Sequence, residues 1–99
     1  MNKEEQRIAI AEACGWRCTA AFKEAFACWV KPDGMDHQTE LLPDYLANLN
    51  AMHEAEKILT ADQWYEYDRL MPLRDPQKMH ATAAQRAEAF LKTIDKWEI

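Results

Sequence analysis

The sequence predicts an α+β domain, a small antiparallel sheet of two to three strands covered by about four helices in an α/β/α sandwich-like arrangement, and three observations predict it. Residues 42–59 and 83–97 repeat apolar side chains at helical spacing over several turns. Residues 16–19 and 26–30 are short and rich in aromatic, β-branched and cysteine side chains, which suits strands. Ninety-nine residues, 48% of them hydrophobic, are enough for one core and too few for two, so 1–99 reads as a single domain.

The elements follow in order. Asn2 is placed to cap a first helix from Lys3 to about Cys14, with Glu4 and Glu5 in its first turn, Ile8, Ala11 and Cys14 on its inner stripe, and Gly15 as the left-handed residue that ends it. Two antiparallel strands at 16–19 and 26–30 come next. They are joined through AAFKEAF, whose composition also allows a helix from Thr19 onward. Lys31-Pro32-Asp33-Gly34 has turn chemistry, and 35–41 reads as a polar loop.

Residues 42–59, LPDYLANLNAMHEAEKIL, form the predicted central helix. Pro43 suits its first position, Asp44 complements the positive end of its dipole, and Leu42, Tyr45, Leu46, Leu49, Met52 and Leu59 make its apolar stripe. Thr60-Ala61-Asp62-Gln63 is a capping-box pattern that opens a third helix to about Met71, with Trp64, Tyr67 and Met71 inward and Tyr65 and Arg69 outside. Pro72 and Pro76 end that helix, and Lys78-Met79-His80-Ala81 offers a short third strand. Thr82-Ala83-Ala84-Gln85 repeats the capping pattern and opens the last helix, with Ala83, Ala87, Phe90, Ile94 and Trp97 at helical spacing.

The formal net charge of −5 argues against direct nucleic-acid binding, whose affinity rests on cations neutralising phosphates. The charge is uneven. Residues 1–62 hold 11 acids and 6 bases, whereas 63–99 hold 6 of each, which leaves room for a basic pocket from Arg69, Arg74, Lys78 and Arg86. Three cysteines, a charged MNKEEQR start and no apolar run of membrane length lead to the expectation of a soluble cytosolic protein with reduced thiols.

Cys14, Cys18, Cys28 and His37 lack the tight paired spacing of structural zinc sites, so the thiols are expected to be buried and inert and no metal or other cofactor is expected. His53 and Glu56, three residues apart on the apolar side of the 42–59 helix, could anchor a neighbouring element, touch a ligand or act as an acid–base pair. The chain has no serine, no phosphate-binding loop and no HExxH sequence, so non-enzymatic function is the expectation. His80 and Arg86 flank a helix N-terminus that could hold an anion. Of the four tryptophans, Trp29 is taken as a candidate partner contact.

At LPDYLANLNAMHEAEKIL and again at HATAAQRAEAFLKTIDKWE, the sequence resembles the phage ABA-sandwich domain family, small proteins of bacteriophages and prophages. Cys14-Gly15-Trp16, and a strand and turn like Trp29 to Gly34, extend the resemblance over most of the chain in the family's order. The chain departs from the family at 68–79, which is shortened and punctuated by prolines where relatives carry a longer strand-like stretch.

The resemblance implies an α/β/α layered fold and action in the host bacterial cytoplasm. The family brings no agreed activity or catalytic residues. The expected function is a phage-encoded binding protein that counters an antiviral defence, either by blocking a defence protein in the manner of an anti-CRISPR or by sequestering a nucleotide second messenger, with a homo-oligomer left open. An interaction module in phage replication or gene control, and a small enzyme using His53 and Glu56, are the alternatives.

Overall fold

The computed structural model describes residues 1–18, 29–32, 39–71 and 81–97. They form four helices and a small antiparallel sheet: α1 Lys3–Ala13, β1 Arg17–Cys18, β2 Trp29–Val30, β3 Thr39–Glu40, α2 Leu49–Glu56, α3 Ala61–Leu70 and α4 Ala83–Thr93. The class is α+β, as the sequence predicts.

α1 starts where Asn2 accepts a hydrogen bond from the Glu5 backbone N–H. It ends in a Schellman motif. Gly15 sits at φ 96°, its N–H donates to the Glu12 carbonyl, and the Trp16 N–H donates to the Ala11 carbonyl. A Cβ at position 15 would lie 3.2 Å from Pro32, so both the backbone angle and the space require glycine. Ala11 of the expected stripe is fully buried and Ile8 and Cys14 pack against the core partly buried, with Ile10 added as a second fully buried member.

β2 is the middle strand, pairing Trp29 with Cys18 on one side and with Glu40 on the other. Successive strand residues point to opposite faces, and Trp29 and Val30 are both buried, so the middle of the sheet is covered on both sides. The third strand is therefore Thr39–Glu40, inside a stretch expected to be loop. Of the expected strand at 78–81, only Ala81 is among the described residues, and it is not in a strand. The alternative helix at 19–25 lies outside the described residues.

The 42–59 segment is not one rod. Residues 42–44 are not helical, residues 45–47 make a turn, and the helix begins only at Leu49. Two local acceptors explain the break. The Asp44 carbonyl accepts from the Ala47 and Asn48 N–H groups, and the Asn48 side chain then caps a new helix by accepting from Asn50 and Ala51. A third, distant group completes it: Arg7 of α1 donates to the Leu42 carbonyl at 2.8 Å and to the Pro43 carbonyl at 3.3 Å, satisfying acceptors that a continuous helix would have used itself. Leu42, Tyr45, Met52 and Leu59 are all buried, because both pieces lie against the core, while Leu49 at the new helix start is 45% exposed.

α3 and α4 begin with complete capping boxes, Thr60 with Gln63 and Thr82 with Gln85. α3 stops at Met71, held extended at φ −61° and ψ 136°, as a residue before proline must be. α4 is the hub of the packing, in contact with α1, α2 and α3. It can serve three neighbours because its small side chains Ala83, Ala87 and Ala89 are buried together with Phe90 and Leu91.

α4 closes through Asp95 at φ 62°, with the Lys96 N–H donating to the Leu91 carbonyl at 2.8 Å. The left-handed conformation suits glycine better, so Asp95→Gly is expected to raise stability by about 0.5–1 kcal/mol, read as a higher melting temperature. Trp97 lies beyond the helix, its ring 5.6 Å from the Lys92 ammonium.

No helix of the described residues is long and apolar enough to cross a membrane.

Candidate functional site

Two constellations stand out, one buried between helices and one exposed on α3. In the first, the Asn48 cap sets the phase of α2 so that Met52, Ala55 and Glu56 face inward. Glu56 is the one buried charged residue among those described, at 3% exposure. Its Oε1 lies 3.4 Å from Nη1 of Arg86 on α4 and 3.3 Å from Nδ1 of His53 one turn earlier on α2.

Arg86 is aimed there by its place one turn into α4, and its Nε also donates to the Ala81 carbonyl at 3.3 Å. Tyr67 of α3 completes the cluster. Its hydroxyl is buried beside the pair without a hydrogen bond, and burial first, then the Glu56 charge, pushes its phenol far above its ordinary pKa. Three helices thus meet at one carboxylate.

The expectation that His53 lies on the apolar side is corrected: its side chain is 53% exposed. Helix α2 starts seven residues later than predicted, and with the Asn48 cap in place Met52, Ala55 and Glu56 take the inner face. Arg86 was expected at an anion or partner surface. Instead its charge is matched by Glu56, so what this arrangement can do chemically is fix α2 against α4 across a low-dielectric seam.

A groove of about 380 Å³ lies between the end of α1, Pro32 and one flank of α2, walled by Cys14, Trp16, Pro43, Tyr45 and Ile58. Burial pushes the Cys14 thiol up to about 11, and burial also raises the Tyr45 phenol. Cys14 is a free thiol, and among the described residues no cluster of three metal-ligating side chains occurs. Cys28 and His37 lie outside the described residues.

Because the folded state holds the Cys14 proton more tightly than the unfolded chain, whose thiol titrates near 9.0, this contribution to stability is complete below pH 9 and lost as pH rises through about 11. Urea midpoints are expected to fall steadily between pH 9 and 11, and Cys14→Ala is expected to flatten that fall.

The second constellation is the outer face of α3. Tyr65 is 81% exposed and Trp64 43% exposed. Trp64 is steadied by an edge-on contact with Tyr67, at 5.4 Å between centroids and 73° between planes. Asp62 and Asp68 are exposed on the same helix, and Arg69 is held by Glu66, with Nε donating at 3.0 Å to one carboxylate oxygen and Nη2 to the other. That hydrogen bonding holds the Glu66 carboxyl below its usual range.

Trp64 was expected inward and is only half covered. Tyr65 was legible as lying off the apolar stripe, yet its weight as an exposed aromatic became clear only beside Trp64 and Asp62. Trp29 is corrected: with no exposed surface it belongs to the core, where β2 pairs with both neighbouring strands, and it cannot meet a partner of the folded chain. Arg69 serves Glu66 on its own helix and Arg86 serves Glu56 on α2, and Arg74, Lys78 and His80 lie outside the described residues.

No family model matches the sequence, and no match was found among curated proteins or among solved structures.

Proposed function

We propose that this chain is a non-catalytic binding protein, encoded by a bacteriophage, that counters a bacterial antiviral defence in the host cytoplasm by occupying the basic, nucleic-acid-handling surface of a defence protein. The observation that carries the reading is the outer face of α3, where Tyr65 and Trp64 stand exposed among carboxylates. Exposed aromatics are the side chains that most often anchor protein interfaces, and a negative field draws a basic partner and competes with nucleic acid for it. The net charge of −5 and the resemblance at 42–59 and 80–98 support the same reading.

The neighbourhood of His53 and Glu56 favours recognition over reaction, because the Glu56 carboxylate is 3% exposed and already engaged by Arg86, which leaves it out of reach of a substrate. The pairing of Arg69 with Glu66 and of Arg86 with Glu56 likewise favours blocking of a protein over sequestration of a nucleotide signal, which needs cations left for phosphate.

The test is to isolate the host partner retained by the tagged chain and measure that partner's nucleic-acid affinity by fluorescence anisotropy with and without the chain. Displacement of nucleic acid is expected. A partner whose nucleic-acid binding is unchanged, or an intact nucleotide recovered from the purified chain, would overturn the reading.

A further inference from the structure

We infer that residues 42–47 form a strap beside the end of α1, latched by Arg7, and that the strap swings out as a unit while the four helices stay folded. Both ends of the segment can turn. Leu41 at one end is 62% exposed, and Asn48 at the other holds an extended backbone, φ −115° and ψ 107°, between the turn at 45–47 and α2. The piece between them carries its own shape, because the Asp44 carbonyl accepts from both the Ala47 and the Asn48 N–H groups.

One side chain fastens that backbone from outside. Arg7 of α1 donates to the Leu42 carbonyl at 2.8 Å and to the Pro43 carbonyl at 3.3 Å, and its Nε lies 4.0 Å from the Asp44 carboxylate. Among the described residues, no other hydrogen bond ties the backbone of 42–47 to α1, α3, α4 or the sheet. Leu42 and Tyr45 are the strap's two buried anchors, whereas Asp44 and Ala47 are exposed. A segment with two apolar anchors and a single external fastening opens at a lower free energy than the helical body, whose elements meet around α4.

What opening uncovers is the groove of about 380 Å³. The strap supplies Pro43 and Tyr45 to one side of it, and the end of α1 supplies Cys14 and Trp16 to the other. Access to the groove is therefore set by Arg7 and not by unfolding of the domain. Cys14 is the reporter of that opening. In the closed form burial pushes its thiol up to about 11, so near neutral pH it is protonated and unreactive; bared to water, it becomes open to alkylation.

The experiment treats the intact chain with iodoacetamide and follows alkylation of Cys14 by mass spectrometry, tryptic cleavage after Arg17 separating it from Cys18. The wild-type rate is expected to depend only weakly on urea well below the unfolding midpoint, as a small opening exposes little surface. Arg7→Met is expected to speed the labelling about tenfold or more, the worth of one to two hydrogen bonds from a charged donor, and Arg7→Lys to fall between. Thr82→Ala supplies the contrast, since it removes the α4 cap and lowers the stability of the whole domain without loosening the latch, and it is expected to leave the Cys14 rate unchanged.

An Arg7→Lys rate equal to that of the wild type would overturn the inference. So would labelling that rises in Thr82→Ala in step with global unfolding, or a wild-type rate with the full urea dependence of unfolding, because either would mean that Cys14 is reached only when the whole domain opens.

Discussion

Arg86→Ala is expected to lower the unfolding free energy by about 3–5 kcal/mol, because it leaves the Glu56 carboxylate buried without its counter-charge. Glu56 is 3% exposed and the Arg86 side chain is 12% exposed, so little solvent is available to take over from the guanidinium. His53 offers weak compensation, since its half-exposed ring reaches the same oxygen at 3.3 Å from the rim.

The measurement is an equilibrium urea titration of the wild type, Arg86→Ala and the paired variant Glu56→Leu with Arg86→Met. Replacing both charges with apolar side chains of similar size is expected to recover most of the loss. Tyr67→Phe provides the contrast. Its hydroxyl is buried without a hydrogen bond, so removing it is expected to change stability by less than about 1 kcal/mol, or to raise it. A cost below about 1 kcal/mol for Arg86→Ala would place the pair among solvated surface contacts and remove it as the fastening of α2 to α4.

Phe90→Ala is expected to cost about 3–5 kcal/mol, the usual penalty for emptying a fully buried aromatic site. Phe90 has no exposed surface and lies on the helix that α1, α2 and α3 all touch, so the cavity would open at their common partner. Phe90→Leu, which keeps most of the volume, is expected to cost less than about 1.5 kcal/mol. Domains of this kind hold only about 5–15 kcal/mol in total, so calorimetry of Phe90→Ala should show a sharply lowered and broadened transition. A melting temperature within a few degrees of the wild type would mean that the core is organised elsewhere.

What the sequence made legible was local. The capping boxes at Thr60 and Thr82, the end of α1 at Gly15 and the stop at Met71 before Pro72 all depend on residues within five positions of one another, and each lies where its pattern predicts. What it concealed depended on distant partners. The apolar rhythm of 42–59 reads as one helix, yet Arg7, 35 residues away, takes the Leu42 carbonyl that such a helix would need.

Glu56 was visible as an ionisable group on an inward face with His53 as its neighbour, but Arg86, 30 positions on, could not be read as its second partner. Thr39–Glu40 joins the sheet by pairing with Trp29 and Val30, and nothing in its composition distinguishes it from loop. Trp29 shows the same limit, since an aromatic residue serves a core or an interface equally well until its neighbours are known.

The position of α4 in the chain has a consequence for synthesis. α1, α2 and α3 leave the ribosome before residues 83–93, so the surfaces that will hold Ile10, Met52 and Tyr67 have no common partner to close on while they wait. Folding must then be a late and nearly simultaneous event, triggered when one alanine-rich helix appears, and a nascent chain paused before that point is the form most in need of a chaperone.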